Sequence, residues 1–426
     1  MESVPLQNDQ RVILSRNERW LCALLALCVL NFFCQYGIRM PMMVYYFAMG
    51  SLNVLIFVFG ARRGFSLKPA MWLFWGLMWI SVLVNAPEIP PQFRAVERTI
   101  SFALVLIGIG PFFLGEHFFV MRREILSYLN LGILFITLLS FAGYIFGFGS
   151  RSHQGFYQGA THHSMTLGAF AGISMLNCLY EAMISSQKRY QFFCLICSVT
   201  SLVTGILASS RISLASCICG VISMLALNYR GRYGKTIPKI IVFLFIGLVF
   251  LHFSGDVGFG LRQKHHGQEL SLETLSSTRK GLWNDRLSEI KHEPLFGVGA
   301  HTIRAEYCLS EHSQITTAGG TIEPGSAWLY IFSSMGVFAF LCFCVIILEP
   351  LYRIWKQGKT NSLGVILFSQ LVFFSVYMCA EAHITASGDF TFIYCWLLIA
   401  LVDSHNRNEY NLPYPHIAWI RRFAHE

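Results

Sequence analysis

Charged side chains are scarce in this sequence. Asp, Glu, Lys and Arg make up only 13% of its 426 residues, whereas apolar residues make up 54%. Soluble domains carry roughly 25% charged residues, so the composition excludes an ordinary soluble protein. Apolar runs of about 17–25 residues, long enough to cross a bilayer core, recur along the whole length. The sequence therefore predicts an all-α integral membrane protein.

Several motifs are also missing. No Asp-x-Asp pair is present to hold a metal-bound nucleotide sugar, and the turn near Arg39 lacks the carboxylates of metal-dependent, dolichol-phosphate-type glycosyltransferases. No internal repeat of the secondary-transporter kind is visible. The histidines show neither HExxH nor matched Cys/His spacing. We therefore expect no metal site and no cofactor. Membrane topology explains the net charge of +9 better than a nucleic-acid partner does.

The apolar runs predict about twelve transmembrane helices. They are 20–37, 41–60, 69–85, 99–115, 125–147, 164–183, 191–208, 212–228, 237–253, 326–348, 362–381 and 389–403. A polar stretch precedes Trp20, so we expect no cleavable signal peptide. Only Cys308 of the 13 cysteines lies in the long polar segment, which excludes a disulfide within it. We interpret Cys194-x-x-Cys197, in an apolar run, as packing.

Basic residues predict the orientation of these helices. Lys and Arg cluster in alternate links, and the positive-inside rule assigns those links and both termini to the cytoplasm. The predicted organisation is a cytoplasmic tail (1–19), helices 1–9 (20–253), a large periplasmic loop (254–325), helices 10–12 (326–403) and a second cytoplasmic tail (404–426). A polar insertion of this length among short links indicates a function outside the lipid.

The large loop contains the most specific pattern. Ser271 to Lys291 predicts an amphipathic helix, with an apolar stripe of Leu282, Trp283, Leu287 and Ile290. Pro294-Leu295-Phe296-Gly297-Val298-Gly299 follows and predicts a tight, exposed turn with glycines at positive φ. Arg279 lies one helical turn before Trp283, where a guanidinium suits pyrophosphate and an indole suits a sugar ring. A helix lying on the membrane surface is the alternative interpretation.

This run resembles the conserved loop of the O-antigen ligase and polymerase superfamily, bacterial enzymes that transfer whole glycans from undecaprenyl pyrophosphate. Three more segments are similar to that family. They are Ser209-Ser210-Arg211, the polar entry Gly159–Ser164 with His162 and His163, and Ser326–Tyr330 closed by Gly336. The resemblance implies a metal-independent, inverting glycan transferase of the bacterial inner membrane, with its active site on the periplasmic face.

One departure from the family bears on the reaction. Ligases that join O-antigen to lipid A-core carry a His at the position of Gly325, directly before Ser326. Glu323 lies two residues earlier. We therefore favour a polymerase of surface polysaccharide, exopolysaccharide or O-antigen repeats, with Glu323 as base.

The resemblance, the cations and histidines assigned to the periplasmic face and the position of Glu323 together suggest the following site. Arg211, Arg279 and Glu323 are the candidate catalytic residues. The candidate substrate-binding residues are Arg151, His162, His163, Trp283, Arg286, His301, Arg304 and Ser326. The expected partners are an undecaprenyl-pyrophosphate-linked glycan donor, a glycan or lipid-linked acceptor, the lipid bilayer and a chain-length regulator. Three alternatives stay open: an O-antigen ligase, a lipid-linked glycan flippase or transporter, and a non-catalytic assembly protein.

Overall fold

The structure is a computed structural model that describes residues 13–152, 155–228, 272–309, 322–357 and 362–407. These residues are mostly helical, with only two short two-stranded sheets among them, which confirms the all-α prediction. Six helices are apolar and long enough to cross a membrane, and three more are apolar but shorter.

The described residues form twelve α-helices. They are α1 (Arg16–Phe33), α2 (Met42–Ala61), α3 (Pro69–Val84), α4 (Ala95–Ile109), α5 (Glu116–Phe146), α6 (Ser164–Ile184), α7 (Lys188–Leu207), α8 (Arg211–Asn228), α9 (Leu272–His292), α10 (Ala327–Gln357), α11 (Ser362–Tyr377) and α12 (Phe390–Arg407). The short strands are β1 (Ser66–Leu67), β2 (Phe113–Leu114), β3 (Ser150–Arg151) and β4 (Tyr157–Gly159). Each predicted span except the ninth coincides with one of these helices, and α9 is the predicted loop helix. The ninth span, 237–253, and the loop segment 254–271 lie outside the described residues.

The links that are rich in Lys and Arg lie at one end of the helical bundle. Strand β1, after α2, pairs antiparallel with β2, before α5. Lys68 forms a buried ion pair with Asp403 near the end of α12. Glu18 in the first turn of α1 lies 2.8 Å from His117 in the first turn of α5 (Oε1 to Nε2). We call this the basic end.

The opposite end gathers the remaining links, and we call it the loop end. The backbone N–H of Gln35 donates to the carbonyl of Ala160 at 2.7 Å, which joins the α1–α2 link to the segment before α6. The side-chain amide of Asn85, just after α3, donates to the carbonyl of Gly297 at 3.0 Å. The hydroxyl of Tyr45 donates to the carbonyl of Gly388 at 2.8 Å. The links after α1, α3, α5 and α11 therefore lie at the loop end, and those after α2 and α4 lie at the basic end.

The segment after α9 packs into a break in α10. Gly336, inside α10, has φ 81° and ψ 178°, and an added Cβ there would lie 2.0 Å from the carbonyl oxygen of Leu295. The backbone N–H groups of Val298 and Gly299 donate to the carbonyls of Ser333 (2.9 Å) and Ser334 (3.0 Å). Positive φ at both glycines is as predicted, with 67° at Gly297 and 111° at Gly299. The prediction of an exposed turn is wrong for these glycines, because both are buried against α10.

Helix α9 buries three charged residues but only one residue of the predicted apolar stripe, Leu282. Its buried positions include Leu282, Asp285, Arg286 and Glu289, whereas Leu287 is 45% exposed. The buried charges have partners: Arg286 Nη1 lies 2.8 Å from Glu289 Oε2, and Asp285 accepts from the backbone N–H of Leu309 at 2.6 Å. Helix α9 is therefore held by polar contacts within the loop.

Candidate active site

A linked set of charged side chains occupies the loop end. Nη2 of Arg279, on α9, lies 2.5 Å from Oε1 of Glu381, in the link between α11 and α12. Nη1 of the same guanidinium lies 3.6 Å from Oε1 of Glu323. Glu381 is nearly buried, with 7% of its side chain exposed, whereas Glu323 is 46% exposed. One arginine therefore holds a buried carboxylate and an accessible one on neighbouring nitrogens.

His383 extends this set. Its Nε2 lies 3.4 Å from Glu381 Oε2, and its Nδ1 lies 3.6 Å from Asp389 Oδ2. Burial lowers the pKa of His383, but the negative charges of Asp389 and Glu381 outweigh burial and raise this pKa to about 9. The imidazole is therefore protonated at neutral pH. We call Arg279, Glu323, Glu381, His383 and Asp389 the charged chain. It holds two cations and three carboxylates, hence one net negative charge.

Backbone contacts fix the position of Glu381. The N–H of Ala327, the first residue of α10, donates to the carbonyls of Met378 (2.9 Å) and Glu381 (3.2 Å). The hydroxyl of Ser326 donates to the Met378 carbonyl at 3.3 Å. At the other side of the link, Asp389 accepts from the backbone N–H of Thr391 at 2.7 Å. The start of α10 and the start of α12 thus hold both ends of the link that carries Glu381 and His383.

The surroundings of Gly325 explain why a glycine, and not the histidine of ligases, occupies this position. Its φ is 76°, and an added Cβ would lie 2.6 Å from the Cβ of Leu282 on α9. A β-carbon at this position meets both backbone strain and a clash. The indole N–H of Trp283 donates to the Gly325 carbonyl at 3.2 Å. The position that holds a His in ligases is therefore closed by α9 in this chain, and Trp283 lies against it.

Three of the predicted substrate-binding residues are buried inside the loop. Arg286 pairs with Glu289, whose pKa is raised by burial despite that contact. Arg304 forms an ion pair with Glu88, and its Nη2 donates to Asn85 Oδ1 at 3.1 Å. His301 is 2% exposed with φ 61°, and burial followed by the positive charge of Arg98 lowers its pKa to about 3. Arg286 and Arg304 support the loop from within through these ion pairs.

Arg211 lies at another helix start on the loop end. It begins α8 and is half-buried, and it follows Ser209, which has a left-handed φ of 55°. An added Cβ on Gly168 would lie 2.7 Å from the Cβ of Ser210, so α6 and α8 approach closely there. His163 caps α6, its Nδ1 accepting from the backbone N–H of Met165 at 3.3 Å. The structure thus brings Arg211 and His163 to the starts of two closely packed helices.

The remaining predicted residues differ in exposure. Arg151, on β3, and His162 are exposed, whereas Ser326 is buried at the start of α10. In the part of the chain that the structure describes, no group of three or more His, Cys, Asp and Glu side chains is arranged to hold a metal ion.

Sequence reasoning missed Glu381, His383 and Asp389. They lie in a link of the loop end that carries no motif. A signal was present, because three titratable side chains share a short link in a chain that has few charges.

A family model described as O-antigen ligase matches residues 196–344. This segment is similar to that family, and we call it the O-antigen ligase domain. No curated protein matches the chain. The domain runs from within α7 into α10 and contains Arg211, Arg279, Trp283 and Glu323. Glu381, His383 and Asp389 follow it in sequence, although the first of them contacts the domain through Arg279.

The domain confirms the resemblance to the O-antigen ligase and polymerase superfamily. Members of this family are glycan transferases, and the family implies lipid-linked glycan substrates. Together with the apolar helices, the O-antigen ligase domain indicates a multi-pass bacterial membrane protein.

Proposed function

We propose that this chain transfers an oligosaccharide from undecaprenyl pyrophosphate to an acceptor sugar hydroxyl at the periplasmic face of the inner membrane, and that it polymerises surface-polysaccharide repeats. The observation that carries this proposal is the charged chain at the loop end, in which Arg279 of the O-antigen ligase domain holds Glu381 and Glu323. An accessible carboxylate at this position can accept a proton from a bound hydroxyl, and the guanidinium fixes where that carboxylate lies.

In the proposed reaction, the acceptor oxygen attacks the anomeric carbon from the face opposite the diphosphate. A carbon–oxygen bond forms there, the bond to the diphosphate breaks, and its electron pair stays on the leaving oxygen. The configuration inverts. Glu323 takes the hydroxyl proton, since it is the more accessible of the two carboxylates that Arg279 contacts. General-base catalysis of this kind contributes about 10²–10⁴-fold.

The other residues take supporting roles in this proposal. Glu381, His383 and Asp389 hold the orientation of Arg279. Arg211 stabilises the departing diphosphate without a metal, as preorganised charge commonly does. Trp283 presents an indole beside Glu323 and Gly325 for stacking on a sugar, and His162, His163 and Arg151 offer polar groups at the rim. Buried Arg286 and Arg304 maintain the loop, and Ser326 fixes the start of α10.

Gly325 favours polymerisation over ligation. Its positive φ and the nearby Cβ of Leu282 leave no room for the His that ligases carry there. The similarity of residues 196–344 to the O-antigen ligase family favours ligation to lipid A-core or another acceptor as the second candidate. A flippase or transporter receives less support, because the charged chain lies at one end of the bundle, whereas transporters commonly place such groups near the membrane midplane.

The test is the glycan profile of a deletion strain complemented with wild type, Arg279→Ala or Glu323→Gln. Lys280→Ala is the matched control, because Lys280 is exposed beside Arg279 on the same helix. Lipid-linked single repeats that accumulate without long chains support a polymerase. Long chains that remain on undecaprenyl pyrophosphate indicate a ligase. Repeats confined to the cytoplasmic leaflet indicate a flippase and would overturn the proposal.

A further inference from the structure

Carboxylates already neutralise several arginines of the loop end. Arg279 contacts Glu381 and Glu323, Arg286 contacts Glu289, and Arg304 contacts Glu88. The charged chain around Arg279 carries a net negative charge even with His383 protonated. An incoming diphosphate would have to displace a carboxylate to reach any of these guanidinium groups. Binding of the donor diphosphate therefore requires a cation outside this set, in addition to Arg211, which acts on the departing oxygen.

Arg98 differs from these arginines. It is half-buried in the first turn of α4, and within the described ranges its side chain makes no ion pair or hydrogen bond. A cation in the first turn opposes the helix dipole. The acidic residue of that turn, Glu97, lies 3.9 Å from Arg94 instead. Arg98 thus holds an uncompensated positive charge where the helix itself favours an anion.

The charge of Arg98 acts on three residues from different elements. It interacts electrostatically with Tyr46 of α2, His301 of the loop and Tyr330 of α10. Tyr46 also borders the link that carries the charged chain, because an added Cβ on Gly388 would lie 2.5 Å from the Tyr46 ring. Arg98 and Asp389 both interact with that tyrosine. The guanidinium therefore lies near the charged chain but outside it.

The buried imidazole of His301 is an independent indication of a ligand site. It is a non-glycine residue at φ 61°, and its side chain is 2% exposed. Its Nε2 has no hydrogen-bond partner among the described residues. Buried polar atoms nearly always have partners, and backbone strain of this kind concentrates at ligand sites. The low pKa of its imidazole, about 3 through burial and then Arg98, keeps the ring neutral.

We propose that Arg98 and the neutral imidazole of His301 bind the diphosphate of the lipid-linked donor. The planar guanidinium holds two phosphate oxygens, and the imidazole donates from Nε2 to a third. The donor side of the site is then positive, and the acceptor side, formed by the charged chain, is negative. Arg279 accordingly acts as a positioning residue for Glu323 and Glu381. This inference rests on the proposed function, since it locates the donor of that reaction.

The test measures binding of farnesyl diphosphate to the full-length protein in nanodiscs of zwitterionic lipid. Farnesyl monophosphate and inorganic pyrophosphate are the comparison ligands.

Arg98→Gln should weaken farnesyl diphosphate binding by about 10–100-fold, the effect of one hydrogen bond to a charged group. Arg98→Lys should lose less, because the charge remains and the two-pronged geometry is lost. His301→Gln should weaken binding by a smaller factor. Arg94→Gln, an exposed arginine one turn earlier, should bind like wild type.

The outcomes separate this inference from the proposed function. Wild-type affinity in a folded Arg98→Gln or Arg98→Lys variant would overturn the inference and leave the proposed function standing. Inorganic pyrophosphate binding as tightly as farnesyl diphosphate would also overturn it, because the site would then recognise a free anion rather than a lipid-linked one. Failure of the wild-type protein to bind farnesyl diphosphate would instead contradict the proposed function itself.

Discussion

Arg279 and Glu381 are 102 positions apart in the sequence, yet their side chains meet at 2.5 Å. The contact joins helix α9 of the large loop to the link before the last helix. It also connects the O-antigen ligase domain to residues beyond it. Both side chains are largely buried, with 16% of Arg279 and 7% of Glu381 exposed. Removing one of them therefore leaves the charge of the other poorly compensated.

This contact predicts that Arg279 and Glu381 act as one unit. Arg279→Ala and Glu381→Gln should each lower polymer synthesis about 100-fold, the usual loss when one preorganised electrostatic group is removed. The double variant should be no worse than the more damaged single variant, because each change already disrupts the same arrangement. The measurement is the rate of chain elongation in membrane vesicles supplied with lipid-linked repeats, at matched protein levels. Multiplicative losses in the double variant would show that the two residues act separately.

A histidine at position 325 should not restore the ligase pattern. Gly325→His must adopt φ 76° and place its Cβ 2.6 Å from the Cβ of Leu282. We expect the variant to lose about 1–3 kcal/mol of unfolding free energy from backbone strain alone, observed as a lower melting temperature. Gly50→Ala is the matched control, because its added Cβ meets nothing within 4 Å. A Gly325→His protein that keeps the wild-type melting temperature would show that position 325 accommodates a β-carbon without strain.

Local signals predicted the helices, whereas the charged chain depended on tertiary contacts. An apolar run of membrane length specifies a helix by itself, so α2 and α6 agree with their predicted spans to within a few residues. The partners of Arg279 could not be predicted, because nothing near it in sequence indicates the link at Glu381. The sequence indicates Gly336 only as a motif residue. Its break in α10 could not be predicted, because it depends on the backbone of Leu295 packing against it.

The stability of the protein should decrease at alkaline pH through His383. Folding raises the pKa of this histidine to about 9, from about 6.5 in an unfolded chain. Its stabilising contribution is therefore complete below pH ~6.5 and is lost as the pH rises through about 9. The melting temperature of wild type should fall over this window, and that of His383→Gln should change less. His162→Gln, which alters an exposed histidine, should follow the wild-type curve. Parallel curves for wild type and His383→Gln would contradict the assigned pKa.

The orientation of the loop end can be tested with a native thiol. All thirteen cysteines lie in the described residues, and Cys379 alone is exposed. It precedes Glu381 in the link before α12. We expect a membrane-impermeant maleimide to label Cys379 from the periplasmic side of intact spheroplasts. Partial burial of its sulfur raises the pKa of the thiol, so labelling should become faster as the pH of the reaction rises.

The control for this experiment moves the thiol to the other end of the bundle. Cys379→Ser should abolish labelling. Ser66→Cys in that background places a thiol at an exposed position on β1, at the basic end, and should react only after the membrane is permeabilised. The opposite pattern, with position 66 labelled from outside and Cys379 protected, would reverse the orientation. It would place the charged chain in the cytoplasm and remove the periplasmic active site from the proposal.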